Sequence, residues 1–117
     1  MDIENFQSYS IPRRRAEEIL KEAMSVSESV LVDMLDCSSF LARKPTNKTV
    51  DEVFQIGLED RATAYHFIYR EGEILGGSAY FDVGLSTMGH QPAHFLWIRL
   101  SVDAGLRLIK KFKLRKL

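Results

Sequence analysis

His90 and His94 stand four residues apart, with His66 and Asp82 as further donors, and imidazole and carboxylate are groups from which zinc sites are built. The spacing argues against such a site. Ligands at i and i+4 converge on a helix, whereas these histidines flank Pro92 at what reads as a loop-to-strand junction. They are read as surface histidines, and neither a metal nor another cofactor is assigned. Cys37 could act as a nucleophile beside His66 or His90, but it falls on an apolar stripe, where a thiol packs as a small hydrophobe. Tyr80 and Asp82 could serve acid–base chemistry, yet an isolated carboxylate does not make a catalytic pair. No Ser/His/Asp arrangement is legible, and no catalytic residue is assigned.

Charge offers a second kind of chemistry. Six of the sixteen basic residues, Arg107, Lys110, Lys111, Lys113, Arg115 and Lys116, fall in the last eleven positions with no acid among them. The tail therefore carries +6 and the remainder −6, although the whole chain sums to zero. Together with Arg13, Arg14 and Arg15, this cluster could follow a phosphate backbone, and binding would then be steeply salt-dependent. A solvated last element explains the same residues more simply. The best candidate for a recognition helix, Val50 to Glu59, carries Asp51, Glu52 and Glu59, which DNA would repel.

These residues must be positioned by a small scaffold. A chain of 117 residues suits one domain spanning 1–117, and 45% hydrophobic with 27% charged content excludes a disordered or fibrous chain. One cysteine allows no internal disulfide, and the N-terminus lacks the basic and apolar regions of a secretory signal, so a soluble cytoplasmic protein is expected. No apolar run approaches the roughly 20 residues that cross a bilayer.

The first helix is expected from Pro12, with Ala16, Ile19, Leu20, Ala23 and Met24 on one face. A second is expected from Ser25 to about Arg43 on Val26, Val30, Met34, Cys37 and Leu41, although the β-branched run at Val30 to Val32 also allows a strand. Thr49 and Glu52 resemble a capping box that opens a third helix ending near Glu59, with Gly57 as its weak point. The period then changes to two. Ala64 to Tyr69 reads as a strand, joined by a tight Glu71–Gly72 connection to Ile74–Val83. Gly84 to Pro92 reads as a loop before a strand from His94 to Val102. Asp103-Ala-Gly suits a hairpin turn into a fourth strand, Leu106 to Leu114, but Leu106, Ile109 and Phe112 also fit a helix. The expected fold is α+β, with three N-terminal helices on one face of a three- or four-stranded antiparallel meander.

The segment from Phe67 to Tyr80, Phe-Ile-Tyr-Arg-Glu-Gly-Glu-Ile-Leu-Gly-Gly-Ser-Ala-Tyr, with Ile98-Arg-Leu-Ser-Val-Asp, resembles the central strands of GNAT-family acyltransferases over about a third of the chain. The resemblance implies a glycine-rich loop and helix that hold the acyl-CoA pyrophosphate on backbone amides. Asp103-Ala-Gly-Leu-Arg-Leu-Ile-Lys-Lys lacks that loop, so no catalytic residue is carried over. Tyr65, Phe67, Tyr69, Phe95 and Trp97 are expected on the sheet face opposite the helices, as an interaction surface for a protein partner or a second copy of the chain. The leading expectation is a non-enzymatic adaptor, inhibitor or regulatory subunit. A small-molecule enzyme with a pocket near Asp82 and His90 is the runner-up, and nucleic-acid binding ranks third.

Overall fold

The computed structural model describes residues 7–35, 43–71, 78–89 and 92–117. Seven strands and three helices alternate along them: β1 (Gln7–Ser10), α1 (Ala16–Ser25), β2 (Ser29–Leu35), β3 (Arg43–Pro45), α2 (Val50–Glu59), β4 (Ala64–Arg70), β5 (Tyr80–Ser86), β6 (Ala93–Ser101), α3 (Val102–Phe112) and β7 (Arg115–Lys116). The strands form one antiparallel sheet in the order β3-β2-β6-β5-β4-β1-β7, in which β7 is a two-residue edge. The fold is thus α+β, as expected, and β4-β5-β6 is the expected meander. The arrangement around it differs: only α1 is N-terminal, and the sheet gains strands on both sides.

Helix α1 buries the expected stripe of Ala16, Ile19, Leu20 and Ala23, after a 3-10 turn at Arg13–Arg15. Helix α2 is capped as its sequence suggests, the Thr49 hydroxyl accepting the Glu52 amide at 3.2 Å. The second expected helix does not form. Ser29–Leu35 is a strand paired along its whole length with β6, placing Val30 against Ile98 and Val32 against Leu96. Leu31 had thickened the apparent helical stripe, but β-branched residues at alternate positions suit a pleated surface better than a helix. Cys37 and Leu41, on the same expected stripe, lie outside the described residues.

The expected fourth strand is a helix. Ser101 caps α3 by accepting the Ala104 amide at 3.2 Å, and Gly105, Leu108 and Phe112 face the core while Leu106 is exposed. Asp103 belongs to the first turn, where an acid suits the helix dipole, and not to a hairpin. The helix ends in a Schellman arrangement: left-handed Lys113, φ 53°, donates to Lys110, and Leu114 donates to the Ile109 carbonyl at 3.0 Å while burying its side chain.

The β4–β5 register pairs Arg70 with Tyr80, so their connection spans 71–79 and is not a two-residue turn. Residues 72–77, which include most of the expected start of this strand, lie outside the described residues. Strand β5 instead continues through Gly84 to Ser86, into the stretch read as loop. Gly84 stays in the ladder because a Cβ there would run into the Leu96 carbonyl and crowd the Trp97 ring.

All three helices pack on one sheet face, over Phe67, Phe81, Val83, Leu85, Leu96, Ile98 and Leu100. Tyr9 of β1 joins them, edge-on to Phe67 at 6.0 Å. No helix among the described residues is long and apolar enough to cross a membrane. Two helical glycines let backbones approach closely: a Cβ on Gly105 would enter the Phe81 ring, and one on Gly57 would meet the Leu85 methyls at 2.6 Å. Gly105→Ala should therefore lower stability by about 1–3 kcal/mol through overpacking, despite a helix-propensity gain of about 1 kcal/mol. Gly57→Ala should cost less, because the Leu85 methyls are the ends of a flexible side chain. Urea midpoints of the two variants check this order; a more stable Gly105→Ala protein would contradict the close packing of α3.

Candidate functional site on the uncovered sheet face

Antiparallel pairing aligns residues of neighbouring strands in rows, and the period of two sends alternate rows to the face away from the helices. One row runs Ile68, Asp82, Arg99 and Ser29 across β4, β5, β6 and β2. The next runs His66, Gly84, Trp97 and Leu31, and the one beyond it Ala64, Ser86, Phe95 and Asp33. At the other end Arg70, Tyr80 and Ser101 are aligned.

Asp82 lies on the central strand and is 6% exposed. A carboxylate so placed has lost most of its water and needs charged partners. Two guanidiniums supply them: Arg70 donates from Nε to Oδ2 at 2.9 Å, and Arg99 donates from Nε to Oδ1 at 3.3 Å. The Arg99 guanidinium also lies over the Tyr80 ring, 4.1 Å from its centroid, and that of Arg70 lies 6.0 Å from the Trp97 centroid. Aromatic faces favour cations at these distances, so both arginines are held from two sides. They remain partly open to solvent, with 32% and 40% of their side chains exposed.

The three charges line a concavity of about 400 Å³, completed by Ser29, Val30, Leu31, Tyr80 and Trp97. Among the described residues its charged lining is two guanidiniums and one carboxylate. Leu31, 53% exposed, and Trp97 provide its apolar wall. The indole N–H of Trp97 is buried with no acceptor among the described residues.

His66 borders the site. Its ring tilts against Trp97 at 5.4 Å, and its Nε2 lies 3.1 Å from the Ser86 hydroxyl. Burial, reinforced by the Arg70 charge, holds the imidazole pKa below its ordinary 6.5, so the ring is neutral at pH 7. The pair does not make a nucleophilic dyad: Ser86 is buried within a strand, and no acidic side chain among the described residues orients the other ring nitrogen.

The expected aromatic surface is divided by the sheet. Phe95 and Trp97 face away from the helices, whereas Phe67 is fully buried beneath them and Tyr65 and Tyr69 pack at the edge of that core. Tyr65 donates its hydroxyl to the Gly57 carbonyl at 3.2 Å, and burial pushes its phenol pKa up. The error was one of facing, since both alternating sets on β4 carry bulky residues. The expected metal-ligating set is divided in the same way: His94 points to the helix side, His66 and Asp82 to the other, and His90 lies outside the described residues.

The basic clusters also separate. Arg13 is structural, its guanidinium donating to the carbonyls of Thr63 at 2.9 Å and Asp60 at 2.8 Å, and Arg15 pairs with Glu18 at 3.3 Å. Arg107, Lys110, Lys111, Lys113, Arg115 and Lys116 are all exposed, with Lys111 joined to Glu22. Arg70 and Arg99 were missed as site residues. Their only signal was a charged residue between bulky apolar neighbours in a strand, which marks a position but not its cross-strand partner.

A pH dependence follows from His66. The unfolded ring binds a proton more readily than the folded one, so its contribution to stability is present above about pH 6.5 and is lost as pH falls toward the lower folded pKa. The melting temperature should fall between pH 7 and 5 at constant ionic strength, and less steeply in His66→Gln, which retains a hydrogen-bonding group near Ser86. Equal slopes for the two proteins would show that His66 is not the responsible group. Comparisons of the chain with protein-family models, curated proteins and solved structures each returned no match, so the site stands on its geometry alone.

Proposed function

We propose that this chain is a non-enzymatic binding protein that holds an anionic group of its partner at the Arg70–Asp82–Arg99 cluster. The observation that carries this reading is the Arg99 guanidinium, which lines the concavity fixed between Asp82 and Tyr80 while 40% of its side chain stays exposed. Arg99 spends its Nε on Asp82 and stacks on Tyr80, so its terminal nitrogens are presented by a side chain already fixed in place. Preorganised donors of this kind bind anions without a further ordering cost. The interaction surface of this reading is Arg70, Arg99, Trp97, Phe95 and Leu31, in place of the expected Tyr65, Phe67, Tyr69, Phe95 and Trp97.

The exposed bases of α3 and β7 favour a second reading, binding of a nucleic-acid backbone. It requires loss of affinity on replacing Lys110 and Arg107, with a steep salt dependence. The two surfaces are distinguished by their variants. At constant ionic strength, replacing chloride by acetate should raise the melting temperature of the native protein by a few degrees once the anion exceeds its dissociation constant about tenfold. Arg99→Gln should abolish the rise and Lys110→Gln should leave it unchanged. A rise that survives Arg99→Gln would count against the cluster as the binding site.

A further inference from the structure

We infer that α3 and β7 form a docking face for an anionic lipid bilayer, a second binding surface that does not depend on the Arg70–Asp82–Arg99 cluster. The first ground is how cations are partnered across the helix layer. Around α1 and α2 they meet acids at helical spacing: Arg15 with Glu18, Lys21 with Glu17 and Lys48 with Glu52. On α3 and β7 Lys111 alone is paired, with Glu22 of α1. Exposed Arg107, Lys110, Lys113, Arg115 and Lys116 have no acid within ion-pair reach among the described residues. The dipole of α3 favours bases in its last turn, but it does not account for Arg107, Arg115 or Lys116. Arg107 also stands three and four positions from Lys110 and Lys111, where like charges repel. An anionic surface would relieve that repulsion.

The patch is compact and mostly one-sided. From Arg107 to Lys113 the helix axis advances roughly 9 Å, close to the Debye length of about 8 Å at physiological salt, so these charges act together. Lys116 pairs across β1 with Tyr9, whose ring packs on Phe67 and Phe81 beneath the helices, so Lys116 faces the side that carries α3. Arg115, opposite Ser10, points the other way at the rim. Asp103, the one acid of α3, lies in its first turn, at the end far from Lys113. The second ground is apolar: Leu106 is 50% exposed and stands one turn from Lys110 on the outward side of α3. A bilayer surface meets both features, its headgroups taking the charge and its acyl boundary the leucine. A nucleic-acid backbone meets only the first. A single strand would further need an exposed aromatic ring on which to stack its bases, and Phe112, the aromatic residue of α3, is buried.

Flotation of the full chain with vesicles of phosphatidylcholine alone, or of phosphatidylcholine mixed with phosphatidylserine, tests the assignment at pH 7, beside a titration with a short DNA duplex at the same salt. The anionic vesicles should bind the chain at least about tenfold more tightly than the neutral ones, with a steep loss as salt rises. Lys110→Glu combined with Lys113→Glu should weaken that binding at least about tenfold, since each base near an anionic bilayer strengthens attachment about fivefold. Leu106→Ser should weaken vesicle binding severalfold and leave any duplex binding unchanged. All three changes fall at exposed positions, so circular dichroism and melting temperature should stay close to native. Equal binding to neutral and anionic vesicles, or none to either, would overturn the docking face. Tighter binding to the duplex than to the anionic vesicles, with Leu106→Ser affecting neither, would overturn the bilayer in favour of a nucleic-acid backbone.

Discussion

Asp82 sets the terms for the uncovered half of this protein. A carboxylate on the fourth of seven strands lies far from either sheet edge, and its neighbours on β4 and β6 must meet its charge where it sits. Arg70 reaches it from one side and Arg99 from the other, and each arginine carries an aromatic ring with it, Trp97 and Tyr80. The result is a cross-strand layer of alternating cations and rings, in place of the helix layer that covers the other face. Breaking a buried ion pair by removing one partner is costly, so the triad also fixes the register of three strands.

The helix-covered face obeys a different constraint, that of distance. Gly57 and Gly105 bring α2 and α3 close enough for Leu85 and Phe81 to fill the space between helix and sheet. Within the sequence these glycines read as a flaw in one helix and as a hairpin turn in place of the other. Both readings judged glycine by its backbone freedom, whereas in the fold its absent side chain is what matters.

Legibility followed the clarity of the hydrophobic period. Helices α1 and α2 were plain because their apolar residues repeat at 3.6 and meet no competing pattern. Strands β4 and β6 were plain because theirs repeat at two. Strand β2 was misread because Val30, Leu31, Val32 and Leu35 satisfy both periods at once, and only pairing with Ile98 and Leu96 decides between them. Strand β1, with the sequence Gln-Ser-Tyr-Ser, has too few apolar residues to announce itself, yet Tyr9 packs on Phe67 and Phe81. The candidate site was the least legible part, since Arg70, Asp82 and Arg99 are twelve and seventeen residues apart along the chain and meet only through register. The basic tail had the opposite character. It was conspicuous in sequence, but its residues spread over the exposed surface of α3 and β7.

The central claim is that Arg70 and Arg99 form an anion site on the uncovered sheet face. Nitrogen-15 NMR of the arginine side chains and the tryptophan indole, followed during titration with acetate at constant ionic strength, tests it most directly. The account predicts saturable shifts of the Arg70 and Arg99 Nε–H signals and of the Trp97 indole, with little change at Arg107 and Arg115. Shifts confined to the α3 and β7 arginines, or no saturable shift at Arg99, would contradict it.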